Sequence, residues 1–401
     1  MAPIPRYRAQ SGESVPGDFL SAGFRPFFLL AALFAALVLP MALAYFAAAA
    51  TPPSRFDPPL WHAHEMAFGF GGAVVAGFLL TAIPNWTGRL PLQGAPLAGL
   101  ALLWLAGRVA VFFSASLPAG AAAAIDLAFP AVFLLVVARE IVTGGNWRNL
   151  PMLGALALLL GGNLLMHLDA MDRAATGTLG ARLGVATLSM LVALIGGRIT
   201  PSFTRNWLVK TLPGVAEPAA FGAPDRIALA TTLAALAAFV GFPEATPTAL
   251  VEIAAGLALF WRLMRWRGAK TAAEPLLLVL HLGYGWLALG LLLLGANGLF
   301  AVAAPTAPLH ALTVGAIGTM TLAVMTRATR GHTGRPLAAD RGTVAIYVAI
   351  TLAALLRVGA PLAGGAYLPA LWIAGALWSA AYGLFALLYF KMLVGPRAAA
   401  R

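Results

Sequence analysis

From Trp61 to Met66 the chain reads Trp-His-Ala-His-Glu-Met, at the start of an apolar run that reaches Ile83. Two imidazoles, a carboxylate and a thioether therefore stand together in a chain that has six histidines in 401 residues. The other four are His167, His281, His310 and His332. Histidine both ligates metals and moves protons near neutrality. Cysteine is absent, which excludes disulfides, thiolate ligands, iron–sulfur centres and thiol nucleophiles. Any metal must then use His, Met, carboxylates or backbone groups. Neutral imidazole suits haem iron, copper and zinc, and the broad apolar macrocycle of a b-type haem matches a cavity between apolar helices. His62 and His64 are two residues apart and do not share a helical face, so as ligands they serve different centres or precede the helix. Glu65 is the candidate catalytic group, as a proton shuttle or a carboxylate that orients an imidazole. Each of these side chains also has a plainer reading, as an interfacial anchor or a packed core residue.

The elements that position these groups are membrane helices. The chain is 61% hydrophobic and 10% charged, where a soluble domain is about a quarter charged. Leu, Ala, Val and Gly fill the deficit in blocks long enough to cross about 30 Å of hydrocarbon. The short alternating segments of a β-barrel are absent. The sequence predicts an all-α polytopic membrane protein, one integral domain over 1–401 with about twelve spans, from 26–48 and 62–83, through 181–197 and 307–326, to 342–360 and 367–392. The first block leads through Thr51-Pro-Pro53 into further spans, which reads as a span and not a cleaved leader.

With the N-terminus placed inside, 21 of the 26 Lys and Arg fall on that side; Arg55, Arg108, Arg173, Arg182 and Arg357 fall opposite. Excess basic residues mark cytoplasmic loops, so both termini are expected in the cytoplasm. The net charge of +12 then reflects topology and anionic lipid, with no nucleic-acid partner expected.

A constant offset of 246 residues ties His64 to His310, Gly69 to Gly315, Gly72 to Gly318 and Thr87-Gly-Arg89 to Thr333-Gly-Arg335. Pro26, Pro151 and Pro275 open blocks at nearly equal intervals. The pattern predicts three four-helix units, about 20–148, 149–270 and 271–395, related by an axis along the membrane normal. It makes His64 and His310 mates, the geometry wanted for two axial ligands of one haem. The middle unit carries Ala181 there.

His62, His64 and His310 are expected to open helices on the outer side, and His167 to close one there beside Asp169. His281 falls inside the hydrocarbon from the inner side, and an ionisable group at such depth is a functional candidate by default. His332 is placed in a cytoplasmic loop. Arg108 and Asp126 approach one another across a hairpin, where an ion pair is expected. Arg327 lies near an inner helix end, able to snorkel or to hold an anionic group. No nucleotide loop, dinucleotide fingerprint or HExxH motif appears.

Several stretches together resemble the NnrS family of bacterial haem- and copper-containing membrane proteins. They are Gly23-Phe-Arg-Pro-Phe-Phe28, Trp61-His-Ala-His-Glu-Met66, Ile83-Pro-Asn-Trp-Thr-Gly88, Gly197-Arg-Ile-Thr-Pro-Ser-Phe-Thr-Arg-Asn206, His310-Ala-Leu-Thr-Val-Gly315 and Met325-Thr-Arg-Ala-Thr-Arg-Gly-His-Thr-Gly-Arg335. The resemblance implies twelve spans in the bacterial cytoplasmic membrane, haem and copper, and a part in the nitric oxide response, often beside denitrification. The family's histidine positions fall at His62, His64, His281 and His310.

On this reading the chain binds or turns over nitric oxide and protects against nitrosative stress. His64 and His310 are the leading haem ligands, with His281 and Arg327 as further cofactor contacts. His62, His167 and His281 are candidates for copper, a second haem or the alternative axial position. An open iron would make a nitric oxide oxidoreductase needing an electron donor, and a closed bis-histidine iron an electron carrier. A copper or haem transporter and a non-catalytic sensor remain as alternatives.

Overall fold

The computed structural model describes residues 18–301, 304 and 306–398. Among them helices are the regular structure and no strand occurs. Helix α1 spans Phe24–Phe46, α2 Pro58–Thr87, α3 Ala95–Phe112 and α4 Ala119–Thr143. Then come α5 Leu150–Ala170, α6 Gly177–Thr211, α7 Ala223–Gly241 and α8 Thr246–Met264. The last four are α9 Pro275–Phe300, α10 Thr306–His332, α11 Arg341–Gly359 and α12 Tyr367–Val394. Eleven continuous helical segments are long and apolar enough to span a membrane. The last, Arg341–Val394, breaks at Gly364, where φ is +53°, and its two halves α11 and α12 pack on each other. The described residues thus form twelve long helices of a polytopic integral membrane protein.

Local sequence explains many of the boundaries. Proline stands in the first turn of α2, α3, α5, α7, α8 and α9, where its missing N–H would lack a helical partner anyway. Gly88 ends α2 in the left-handed conformation. The expected inner ends of α6 and α10, at 197 and 326, fall short: α6 continues to Thr211 and α10 to His332. His332 therefore ends a helix instead of lying in a loop. Hydropathy marks where hydrocarbon stops, while backbone hydrogen bonding carries these helices on into the polar layer.

Packing recurs every four helices. First lies against second in α1–α2, α5–α6 and α9–α10; third against fourth in α3–α4, α7–α8 and α11–α12. Fourth lies against the next first in α4–α5 and α8–α9, and α12 closes on α1. The second helices, α2, α6 and α10, share a further feature. Each widens to a π-helix midway, over Glu65–Gly71, Val192–Gly196 and Ala311–Gly318. The widening starts one residue after His64 in α2 and one residue after His310 in α10.

A π segment takes carbonyls off the regular ladder, which hydrocarbon does not tolerate without a substitute partner. Neighbouring helices supply one each time. Trp104 Nε1 of α3 donates to Gly69 O at 2.9 Å. Arg262 of α8 donates to Ala193 O at 3.2 Å and Gly197 O at 3.3 Å. The Tyr382 hydroxyl of α12 donates to Gly318 O at 3.0 Å.

Candidate metal centre

The start of the π segment in α2 turns His64 and Glu65 into the protein, 0% and 1% exposed. There they meet Arg108 from α3, Asp126 from α4, and Asn163 and His167 from α5. Arg108 bridges the two carboxylates, donating through Nη1 to Glu65 Oε1 at 2.7 Å and through Nη2 to Asp126 Oδ1. The ion pair expected across the α3–α4 hairpin is present. Glycine makes the approach possible, because a Cβ on Gly69 would lie 2.7 Å from Arg108 Nη1.

The same two carboxylates also gather the imidazoles. His64 Nδ1 lies 2.9 Å from Glu65 Oε1. Its Nε2 lies 2.9 Å from Asn163 Oδ1 and 3.2 Å from Asp126 Oδ2. His167 Nε2 also lies 2.9 Å from Asp126 Oδ2, and Asn163 Nδ2 donates to that same oxygen at 2.9 Å. The Phe56 ring covers both imidazoles, at 4.9 and 5.3 Å between centroids. Two carboxylates face one guanidinium here, and the spare negative charge calls for a second cation: a proton on His64 or a metal ion.

The geometry serves both. With Nδ1 donating to Glu65, neutral His64 aims the Nε2 lone pair at oxygens, a repulsive contact that a metal between them would relieve. One ligand atom each from His64, Asp126 and His167 lies within 4.8 Å of the others. A tetrahedral ion with ligands at about 2.0–2.1 Å needs them roughly 3.3 Å apart, so little rearrangement is required. A carboxylate holding the far nitrogen of a ligating histidine is a recurrent support of metal sites, and Glu65 stands in that place. A narrow cleft lined by Phe129, Pro130, Phe133, Leu156 and Leu159 ends at Arg108, Asp126 and Asn163.

The family model for NnrS proteins matches residues 18–397, nearly the whole chain. The chain belongs to the NnrS family. A comparison with curated proteins finds no match.

The remaining histidines of this NnrS protein lie elsewhere. The repeat paired His64 with His310 across one haem, but both ring nitrogens of His64 are engaged with oxygens. The imidazole within electrostatic range of His310 is that of His62. His62 stacks edge-on against Phe46 at 5.8 Å, and its Nδ1 is buried without a partner. His310 Nδ1 lies 2.7 Å from the Thr306 carbonyl and donates to it, which leaves Nε2 with a free lone pair. That arrangement orients a histidine for a metal or a cofactor.

His281 pairs with Thr204 Oγ1 at 2.9 Å and keeps Nδ1 unpartnered, and Arg327 lies over the Phe203 ring at 4.1 Å. Both lie toward the opposite end of the helical bundle from Glu65. Asp169 caps α6 by accepting from Gly177 N at 3.0 Å and takes no part in the cluster. Two residues at the centre are not among the ligand candidates that the sequence offers: Asp126, expected as a salt-bridge partner, and Asn163. The signal for Asn163 is faint, a single amide among Leu and Gly.

Proposed function

We propose that this NnrS protein binds nitric oxide at a metal centre in the membrane and protects the cell from nitrosative stress. On this reading it holds copper at His64, Asp126 and His167 and carries a b-type haem. The reading rests on one observation above the others: two buried imidazoles and a carboxylate offer ligand atoms within 4.8 Å of one another inside the helical bundle. Family membership supports the link to nitric oxide. Imidazole nitrogen and carboxylate oxygen are a donor set that copper accepts, and Glu65 holds the first imidazole while Arg108 holds both carboxylates. The bound metal would supply one-electron chemistry.

The protein's own groups fit a small neutral ligand. Nitric oxide needs no polar channel, and the apolar cleft ending at Asn163 and Asp126 suits a diatomic molecule. Phe56 and Phe68 exclude water from the His64 ring. Glu65, His64, Asp126 and His167 form a connected chain of proton-carrying groups on the outer half, so a reductive turnover would have protons at hand. Turnover would also draw on an electron donor, and the basic loops orient both termini to the cytoplasm of the bacterial inner membrane.

Purification in mild detergent followed by metal analysis and nitric-oxide difference spectra tests the proposal. Copper and haem should both be stoichiometric, and copper should fall selectively in Asp126→Asn and His167→Ala. Absence of both metals, or spectra indifferent to nitric oxide, would overturn it.

A further inference from the structure

His64 and His310 occupy the same place in two helices, each immediately before a π segment. Each also has an arginine near the outer end of the helix that follows its own in the chain. Arg108 stands four residues before the end of α3, and Arg357 two before the end of α11. His310 lies in electrostatic range of Arg357, as His62 does. Unit one and unit three thus carry the same imidazole and guanidinium.

The anions differ. Beside His64 and Arg108 stand Glu65 and Asp126. The residue following His310 is Ala311, and α10, α11 and α12 contain no Asp or Glu at all. Among the described residues Arg357 makes no ion pair with a carboxylate, and its Nη1 is buried with no hydrogen-bond partner. His62 Nδ1 is orphaned likewise. Buried cations and donors without acceptors are costly, and native proteins satisfy them. Among the described residues no acceptor meets Arg357 Nη1, which leaves that position open to a group from outside the chain.

We propose that His62, His310 and Arg357 form a second ligand site on the outer side, which takes a carboxylate-bearing iron porphyrin. His62 of α2 and His310 of α10 would supply imidazole nitrogen to its iron, and Arg357 of α11 would pair with one of its carboxylates. This rests on the haem reading above and assigns residues to it. His62, not His64, is the partner of His310, and the role of Glu65 and Asp126 at the first site passes to the ligand. The same donors would also accept a small free oxyanion such as nitrite.

The test compares purified wild type with Arg357→Leu, Arg357→Lys, His62→Ala, His310→Ala and His64→Ala. Haem is measured as the pyridine complex, its ligation by the Soret band and electron paramagnetic resonance, and copper by mass spectrometry. Haem retention should weaken about tenfold or more in Arg357→Leu, the scale of one lost charge-assisted hydrogen bond, and recover in part in Arg357→Lys. His62→Ala and His310→Ala should alter the ligation spectra and leave copper in place, while His64→Ala does the reverse. A nitrite-dependent rise in melting temperature of haem-depleted wild type, lost in Arg357→Leu while haem content stays constant across the variants, would assign the site to a free oxyanion. Unchanged haem content and spectra in the Arg357, His62 and His310 variants, with no nitrite effect, overturns the site. Haem bound as described but indifferent to nitric oxide would remove the functional reading and leave this site standing.

Discussion

Asp126 is the residue on which the proposed metal centre turns. One oxygen holds Arg108, and the other collects His64, Asn163 and His167. Truncating it leaves a buried guanidinium and two imidazoles facing a lost counter-charge. Breaking a buried pair from one side costs about 3–5 kcal/mol. Asp126→Ala should therefore lower the thermal midpoint in detergent well beyond the effect of a surface change, whereas the double change Asp126→Asn with Arg108→Met should recover most of it. A midpoint for Asp126→Ala equal to wild type would mean that the network contributes nothing to stability. At this scale the sequence was half legible. His64, Glu65 and the Arg108–Asp126 pair stand out by residue type in apolar blocks. That His64 spends both nitrogens on oxygens, and that Asn163 completes the group, depends on how α2, α4 and α5 meet, which residue type does not encode.

At the scale of elements, the π segments of α2 and α10 follow directly on His64 and His310, and all three π segments widen a helix without opening its backbone to lipid. Each widening adds a residue to a turn and re-aims what precedes it, and a neighbouring side chain satisfies the freed carbonyl. Trp104 is the cleanest of these to test, because it is 2% exposed and its indole N–H has the Gly69 carbonyl as its acceptor. Trp104→Phe keeps an aromatic ring and removes the donor. It should cost about 1–3 kcal/mol, the penalty for a buried carbonyl left unsatisfied. If the π segment matters to the metal centre, copper content should fall in the same variant, since Glu65 to Gly71 carries one of the carboxylates. Full stability and full copper in Trp104→Phe would show that the indole bond is dispensable. No π segment was legible from the sequence: glycines such as those at 69, 71 and 72 suit close helix packing equally well, and a one-residue widening leaves hydropathy unchanged.

For the whole molecule, twelve apolar blocks were enough to foresee an all-helical membrane protein, because hydrocarbon thickness sets span length regardless of side-chain detail. The inner extensions of α6 and α10 were not foreseen, since they lie beyond the apolar windows. Sidedness follows from the same physics and is open to a direct check. An even number of helices returns the chain to the side from which it started, and the bulk of the Lys and Arg lies on that side. The outer loops then include the connection between α5 and α6, and the inner ones that between α6 and α7. The chain has no cysteine, so one introduced thiol reports a single position. Ala174 and Ala216 are both exposed in those two connections. In intact cells a membrane-impermeant maleimide admitted through the outer membrane should label Ala174→Cys, and should label Ala216→Cys only after the inner membrane is opened. The reverse pattern would turn the molecule over, moving the metal centre and the His62–His310–Arg357 site to the cytoplasmic half. Any reductant or nitric oxide source would then have to be sought on that side.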